Sequence, residues 1–278
     1  MIRALLLALV LAAPVAAAPA RGAPALAVPT RGAPALAVPK RVASLNLCSD
    51  ELALLLAAPG QLVSVSRLGA DVHETALARR AQGLAVNRGR VTDVVGLSPD
   101  LVITSGGDPN AAATAKRLGL AVLELPQPET LADVRANVRT VAAALGRPQA
   151  GEAVIGRMDT ALAGLVQATP ALLVSGGGLT VAADGLAAEW LRHAGLVQQQ
   201  VPRGQLSLER LLADPPKVMV VTQYRSGQTS LNQAWLEHPA LASLPNNVRK
   251  IESDGRPWTC LGPTLAPEIA RLRAQVAR

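Results

Sequence analysis

The chain has 278 residues, half of them apolar, with 27 bases against 20 acids and a formal charge of +7. Length sets an expectation of two domains. Residues 1–40 hold Arg3, Arg21, Arg31 and Lys40 and no acid, which leaves 23 bases against 20 acids, a net of +3, for the remaining 238 residues. That balance is not a polyanion footprint. With three Trp, one Tyr and no Phe, a stacking platform for single strands is also excluded, so no nucleic-acid partner is expected.

In chain order, Met1-Ile2-Arg3 gives a short positive region. Ala4–Val15 is apolar, and Ala16–Ala20 supplies small residues for cleavage. This pattern predicts a secretory signal peptide over residues 1–20 and a periplasmic product. No cysteine precedes Cys48, so a lipoprotein anchor is not expected. Residues 21–30 repeat almost unchanged as 31–40, and their prolines predict a linker without helix or central strand.

From residue 41 apolar runs alternate with amphipathic ones. Strands are predicted at 41–47, 62–66, 100–104 and 120–125, and helices at 51–58 and 111–118. Ser49 and Asp50 are the N-cap candidates for the first helix. This alternation implies parallel βαβ units and an N-terminal α/β lobe over 41–128. Leu131, Val134, Val138, Val141 and Leu145 then mark a long helix. Thr130 and Asp133 form its predicted capping box. Gly146-Arg147-Pro148 interrupts it, and a second helical stretch follows from Gln149. Residues 129–168 are thus an inter-lobe helix with an extension. The second lobe, 169–278, has predicted strands at 171–175, 179–183, 218–222 and 248–252 and a final helix at 265–277. Residues 92–103 also echo 209–220: each is a helix, a proline turn and a buried strand.

These motifs carry a family resemblance. RVASLNLCSDELALLLA, VTDVVGLSPDLVIT, the long helix near 129–145 and SLERLLADPPKVMVVT together resemble the periplasmic solute-binding proteins of the cobalamin and ferric-siderophore type. The resemblance implies an α/β fold of two Rossmann-like lobes, joined by a single long rigid helix, with the ligand cleft between them. It implies a monomer that binds without turnover. Its partners would be a metal chelate and an ABC permease with a cytoplasmic ATPase. Ferric siderophore and cobalamin rank together as the ligand, with haem behind them, so Fe or Co would arrive inside the ligand and no cofactor of the protein's own is expected.

In open α/β sheets ligands sit beyond the carboxyl ends of the strands. The expected ligand-binding residues are therefore in those loops: Asn46, Cys48, Arg67, Gly106, Gly107, Tyr224, Arg225, Arg256 and Trp258. Guanidinium groups suit anionic oxygens, and Tyr224 or Trp258 could cover a flat macrocycle. Trp190, on a helix, is expected in the core. Cys48 and Cys260 are the only cysteines; in an oxidising compartment they invite a bridge between the lobes, with separate thiols or a soft ligand pair as the alternatives. In the resembling family one acid on each lobe docks the permease. Glu209 matches the second position; Thr92 occupies the first, with Asp93 its neighbour. His73, His193 and His238 lie far apart, and no HExxH is present, which argues against a bare-metal receptor. The competing class is an exported α/β hydrolase, but Ser175 lacks the GxSxG setting of a nucleophile elbow.

Overall fold

A computed structural model describes residues 37–106, 109–164, 167–223, 231–245 and 247–278. Gly107, Tyr224 and Arg225, three of the expected ligand residues, lie outside them, as do residues 1–36, where the signal peptide and most of the linker are expected. Residues 38–278 form one compact unit.

The first lobe runs β1 (Val42–Ser44), α1 (Leu47–Leu56), β2 (Leu62–Ser66), β3 (Ala85–Asn87), α2 (Val91–Val94), β4 (Leu101–Ser105), α3 (Pro109–Arg117) and β5 (Val122–Leu125). Its strands order β3-β2-β1-β4-β5, and every pairing is parallel. Val42 pairs Leu62 on one side and Leu101 on the other, so β1 is central and fully buried. The chain leaves β1 earlier than the apolar run suggests. Asn46 caps α1 instead of Ser49 or Asp50: its side chain accepts the Ser49 amide, and the Ser49 hydroxyl returns to the Asn46 amide. That reciprocal cap satisfies two orphan donors and draws Ser49 and Asp50 inside the helix, where both are buried.

Two helices follow, α4 (Leu131–Ala144) and α5 (Pro148–Leu162). The expected single rigid helix is thus corrected to a helical hairpin. Each helix spans both cores. Leu131 and Val134 of α4, with Met158 and Leu162 of α5, pack into the second-lobe core. Val138, Val141 and Ala142, with Val154 and Ile155, pack into the first. A Cβ on Gly151 would lie 2.6 Å from that of Ala142, so this close crossing requires glycine. Arg135–Asp159 at 2.6 Å and Arg139–Glu152 at 2.7 Å join the outer faces. The Thr130–Asp133 capping box is present as the sequence indicates.

The second lobe comprises β6 (Thr169–Ser175), β7 (Leu179–Thr180), α6 (Leu186–His193), β8 (Leu196–Gln198), α7 (Leu208–Ala213), β9 (Val218–Gln223), α8 (Leu231–Leu236), α9 (Pro239–Ala242), β10 (Arg249–Asp254) and α10 (Ala266–Val276). Its sheet orders β10-β9-β6-β7, with β8 pairing the first half of β6. All of these pairings are parallel except β6–β7. The strand expected at 179–183 is thus a two-residue antiparallel return. Ile269 and Leu272 of α10 bury with Trp190 and Trp258 in one apolar core.

Candidate ligand cleft

The carboxyl edges of the two sheets meet. Cys48, just past β1, is disulfide-bonded to Cys260, just past β10, across 212 residues of sequence. Arg256, two residues beyond β10, donates Nη1 to the Val72 carbonyl at 2.8 Å, in the loop after β2. Glu51 of α1 accepts the Thr75 hydroxyl on one carboxylate oxygen and the Thr264 hydroxyl on the other, each at 2.7 Å. This seam fixes one side of a cleft whose walls are the strand ends.

The first-lobe wall is a pocket of about 490 Å³ lined by Leu45, Asn46, Ser66, Arg67, Leu68, Arg88 and Gly89. Its backbone is fastened from below. Asn46 donates Nδ2 to the Thr104 hydroxyl at 3.2 Å and to the Ser105 carbonyl at 2.5 Å, tying β1 to β4. Asp50, wholly buried, accepts the Ser66 amide at 3.1 Å and also the Ser66 hydroxyl. A Cβ on Gly69 would overlap the Asp50 carboxylate, so the loop that presents Arg67 and Leu68 folds over that group only with glycine there. Asn87 donates to the Ser44 carbonyl at 2.8 Å and the Ser64 hydroxyl at 2.9 Å. Burial pushes the Asp50 carboxyl up to about 6, although its bonds from Ser66 act the other way. Burial raises Glu51 too, against the bonds from Thr75 and Thr264.

The second-lobe wall is a smaller hollow of about 120 Å³ among Leu173, Ser175, Thr180, Thr222, Trp258 and Leu261. Its hydroxyls are satisfied internally. Thr180 donates to the Leu173 carbonyl at 2.6 Å and Thr222 to the Val174 carbonyl at 3.3 Å. A third hollow, about 30 Å³, lies beside the disulfide between Glu51, Ser105, Val134, Asn137 and Pro263.

The expected site residues divide accordingly. Asn46, Arg67 and the exposed Gly106 lie at first-lobe strand ends. Cys48 is spent in the disulfide. Arg256 is engaged otherwise than expected: it forks onto Asp254 at 2.6 Å besides holding Val72. Trp258 is 7% exposed, and its indole N–H is given to the Ser253 hydroxyl at 2.9 Å. It packs in the second-lobe core and is a core residue rather than an open face. Asp93 is engaged locally, accepting the Arg88 amide at 3.0 Å and pairing with Arg90 at 3.5 Å. The Arg88 amide, chiefly, holds its carboxyl below the ordinary value. Glu209 stands exposed in the first turn of α7.

Sequence reasoning missed Arg88, Asp50 and Glu51. Asn87-Arg88-Gly89-Arg90 mixes two turn-forming residues with two arginines, but with no strand legible before it the turn could not be placed at a sheet edge. Among the described residues no three His, Cys, Asp or Glu side chains come together as a metal centre. None of their helices is long and apolar enough to cross a membrane.

This architecture is similar to solved periplasmic receptors. A haem-binding protein from Pseudomonas aeruginosa aligns at 24% identity and TM-score 0.63, over 85% of this chain and 92% of that one. RhuT from Roseiflexus sp. RS-1, a haem-binding protein in its apo form, aligns at 22% and 0.67, over 84% and 97%. The vitamin B12-binding protein BtuF of Vibrio cholerae aligns at 19% and 0.60, over 86% and 97%. No curated protein matches the sequence. The sequence model of the periplasmic binding protein family matches residues 42–248, which covers both sheets from β1 to the loop before β10, and the chain belongs to that family.

Proposed function

We propose that this chain captures a metal chelate in the periplasm and delivers it to an ABC permease, binding its ligand without transforming it. The observation that carries the reading is the meeting of two sets of parallel strand ends, one around a pocket large enough for a small-molecule ligand. Membership of the periplasmic binding protein family supports the receptor role and the compartment. The haem and B12 receptors of similar fold support a bulky, preformed chelate as the ligand class. The helical hairpin and the seam support modest opening rather than a wide hinge. Glu209 is the exposed acid available for permease docking. On the first lobe Asp93 is committed to Arg88 and Arg90, so the docking reading rests on Glu209.

Among the described residues Ser175 is not joined to a histidine, as a hydrolase nucleophile would be. The Ser175 hydroxyl lies 3.3 Å from the Leu179 carbonyl, while His193 contacts the Leu162 carbonyl and His238 caps α9. The test is titration of the full chain with haem, cobalamin and ferric siderophores, followed by tryptophan quenching and calorimetry. Saturable one-to-one binding of one of them, with the ligand recovered unchanged, is expected. A silent panel removes the metal-chelate class.

A further inference from the structure

The three fastenings of the seam leave the second lobe from one short segment, residues 256–264. Arg256 reaches the Val72 carbonyl, Cys260 is bonded to Cys48, and Thr264 donates to Glu51. Two of these are hydrogen bonds, which break and reform unaided. The third is covalent and lies between the other two along the segment. Cys48 is the second residue of α1 and stands one turn before Glu51. Directly after Cys260, Leu261 has φ +50, a left-handed conformation that its Cβ disfavours. Its amide is held by the Pro257 carbonyl at 3.2 Å and its carbonyl by the Trp190 indole at 3.0 Å. The segment is thus fixed in a shape that its own backbone does not prefer.

We propose that Cys48–Cys260 is a thiol–disulfide exchange site, opened in the folded protein by a dithiol reductant, and that its redox state sets how far the cleft opens. Oxidised, the bond limits the lobes to a narrow opening. Reduced, the segment is held by hydrogen bonds alone and the lobes part further. The exchange and the opening stand on the seam itself; the consequence for a ligand, faster release from the reduced form, rests on the receptor reading above.

Three observations support it. The lobe cores are built without either cysteine, and α4 and α5 enter both, so breaking the bond leaves each core in place. A hollow lined by both cysteines lies beside the bond. Cys48 is half-buried whereas Cys260 is 6% exposed, so a reductant approaches from the Cys48 side. Finally, Cys48 sits in the first turn of the ten-residue α1, where the helix N-terminus stabilises a thiolate. The exchange then runs in two steps. One thiolate of the dithiol attacks Cys48 Sγ; the bond to Cys260 breaks, and Cys260 leaves with the electron pair and takes up a proton. The second thiol of the reductant attacks its own sulfur joined to Cys48, which closes the reductant's disulfide and releases Cys48 as the thiolate. Two electrons have passed from dithiol to cystine.

The experiment treats the full chain with dithiothreitol without denaturant and traps thiols with a maleimide-linked polymer. The same reaction in concentrated urea gives the rate for the unfolded chain. Melting curves and amide hydrogen exchange are read on both redox forms and on the double variant Cys48→Ser with Cys260→Ser. Native reduction should be within about a hundredfold of the urea rate; a bond reached only through global unfolding is slower by about a thousandfold or more. The reduced chain should keep a melting transition, and its amides at 259–264 and 72–75 should exchange at least about tenfold faster than in the oxidised chain. The double variant should match the reduced chain and ignore dithiothreitol. Reduction only through unfolding, a reduced chain without a melting transition, or exchange equal in the two forms each overturns the proposal. Haemin and cyanocobalamin then serve as release probes in stopped flow. Whichever binds should leave the reduced chain several-fold faster. Equal release from both forms overturns the control of the cleft. If neither probe binds, the chelate reading loses both macrocycles, while the exchange site is decided by the ligand-free readouts.

Discussion

The two lobes share a parallel α/β plan but hold their strand ends by different means. In the first lobe Ser44, Ser49, Asp50, Ser64, Ser66, Asn87 and Thr104 are buried at or under the cleft wall, linked in a hydrogen-bond network. In the second the wall rests on apolar packing, with Trp190, Trp258, Leu265 and Ile269 in one core. A polar network fixes directions of donors and acceptors, whereas apolar packing fixes volume. The first lobe is therefore the one suited to aim charged groups, and the one sensitive to pH. Among the described residues the hollow of the second lobe is lined by apolar and hydroxyl side chains.

The largest expected effect comes from separating the lobes. Replacing Cys48 and Cys260 together by Ser opens a loop of 212 residues' separation, for which chain entropy gives about 5 kcal/mol. The urea midpoint should fall steeply, and dithiothreitol should move the wild type to the same place. An unchanged midpoint would mean that the helical hairpin alone holds the lobes.

Second in size is the pH response of the first lobe. Asp50 sits at about 6 in the folded chain, above its ordinary 3.8. The folded state therefore binds that proton more tightly than the unfolded one. Its contribution is full below pH 3.8 and is lost as pH rises through 6, about 3 kcal/mol in all. Glu51 shifts the same way. Urea unfolding should thus show greater stability at pH 5 than at pH 7.5. Asp50→Asn should flatten the response and leave the protein no less stable at neutral pH. A response that survives unaltered in Asp50→Asn would place the titration elsewhere, in the second lobe for instance, and end the contrast. Next comes Gly69→Ala, whose Cβ meets the Asp50 side chain at 2.7 Å and closer. It should cost about 1–3 kcal/mol and displace the Arg67 loop, lowering chelate affinity more than an equally destabilising change in the second-lobe core.

Periodicity and turn signals made the α/β alternation readable, and with it the strand ends where a ligand would bind. The three-residue strands β3 and β8 were not readable. Ala85-Val86-Asn87 is too short for an alternation, and Ala85 and Val86 are exposed. The two helices and the break between them were readable, but that both span the two cores was not, because a heptad pattern reports which face is apolar, not which core each turn meets. Arg67 could be placed because it directly follows a clear strand. Arg88 could not, because its strand was invisible. Asp50 looked like a cap in sequence, since Ser-Asp before an apolar run has that form. The reciprocal cap of Asn46 and Ser49 shows that the helix begins earlier, and the bonds from Ser66 show that the carboxylate points inward.

Arg256 gives the finest test of the contrast, because its sequence suggested a ligand contact and its geometry shows a latch. The guanidinium forks onto Asp254 at 2.6 Å, and the two side chains are 29% and 33% exposed. Burial pulls the Asp254 carboxyl up, but the bonds and charge of Arg256 outweigh it and leave it below the ordinary value. The remaining Nη1 reaches the Val72 carbonyl of the other lobe. Arg256→Ala should therefore cost only about 1 kcal/mol of stability. It should speed ligand release several-fold by loosening the seam, while changing the equilibrium affinity little. Arg256→Lys should behave like the alanine variant, because an ammonium cannot fork onto Asp254 and reach Val72 together. Stopped-flow release and equilibrium titration on the same samples separate the two roles. An affinity loss of about tenfold or more, with release changed in proportion, would make Arg256 a ligand contact after all and give the second lobe a charged share in recognition.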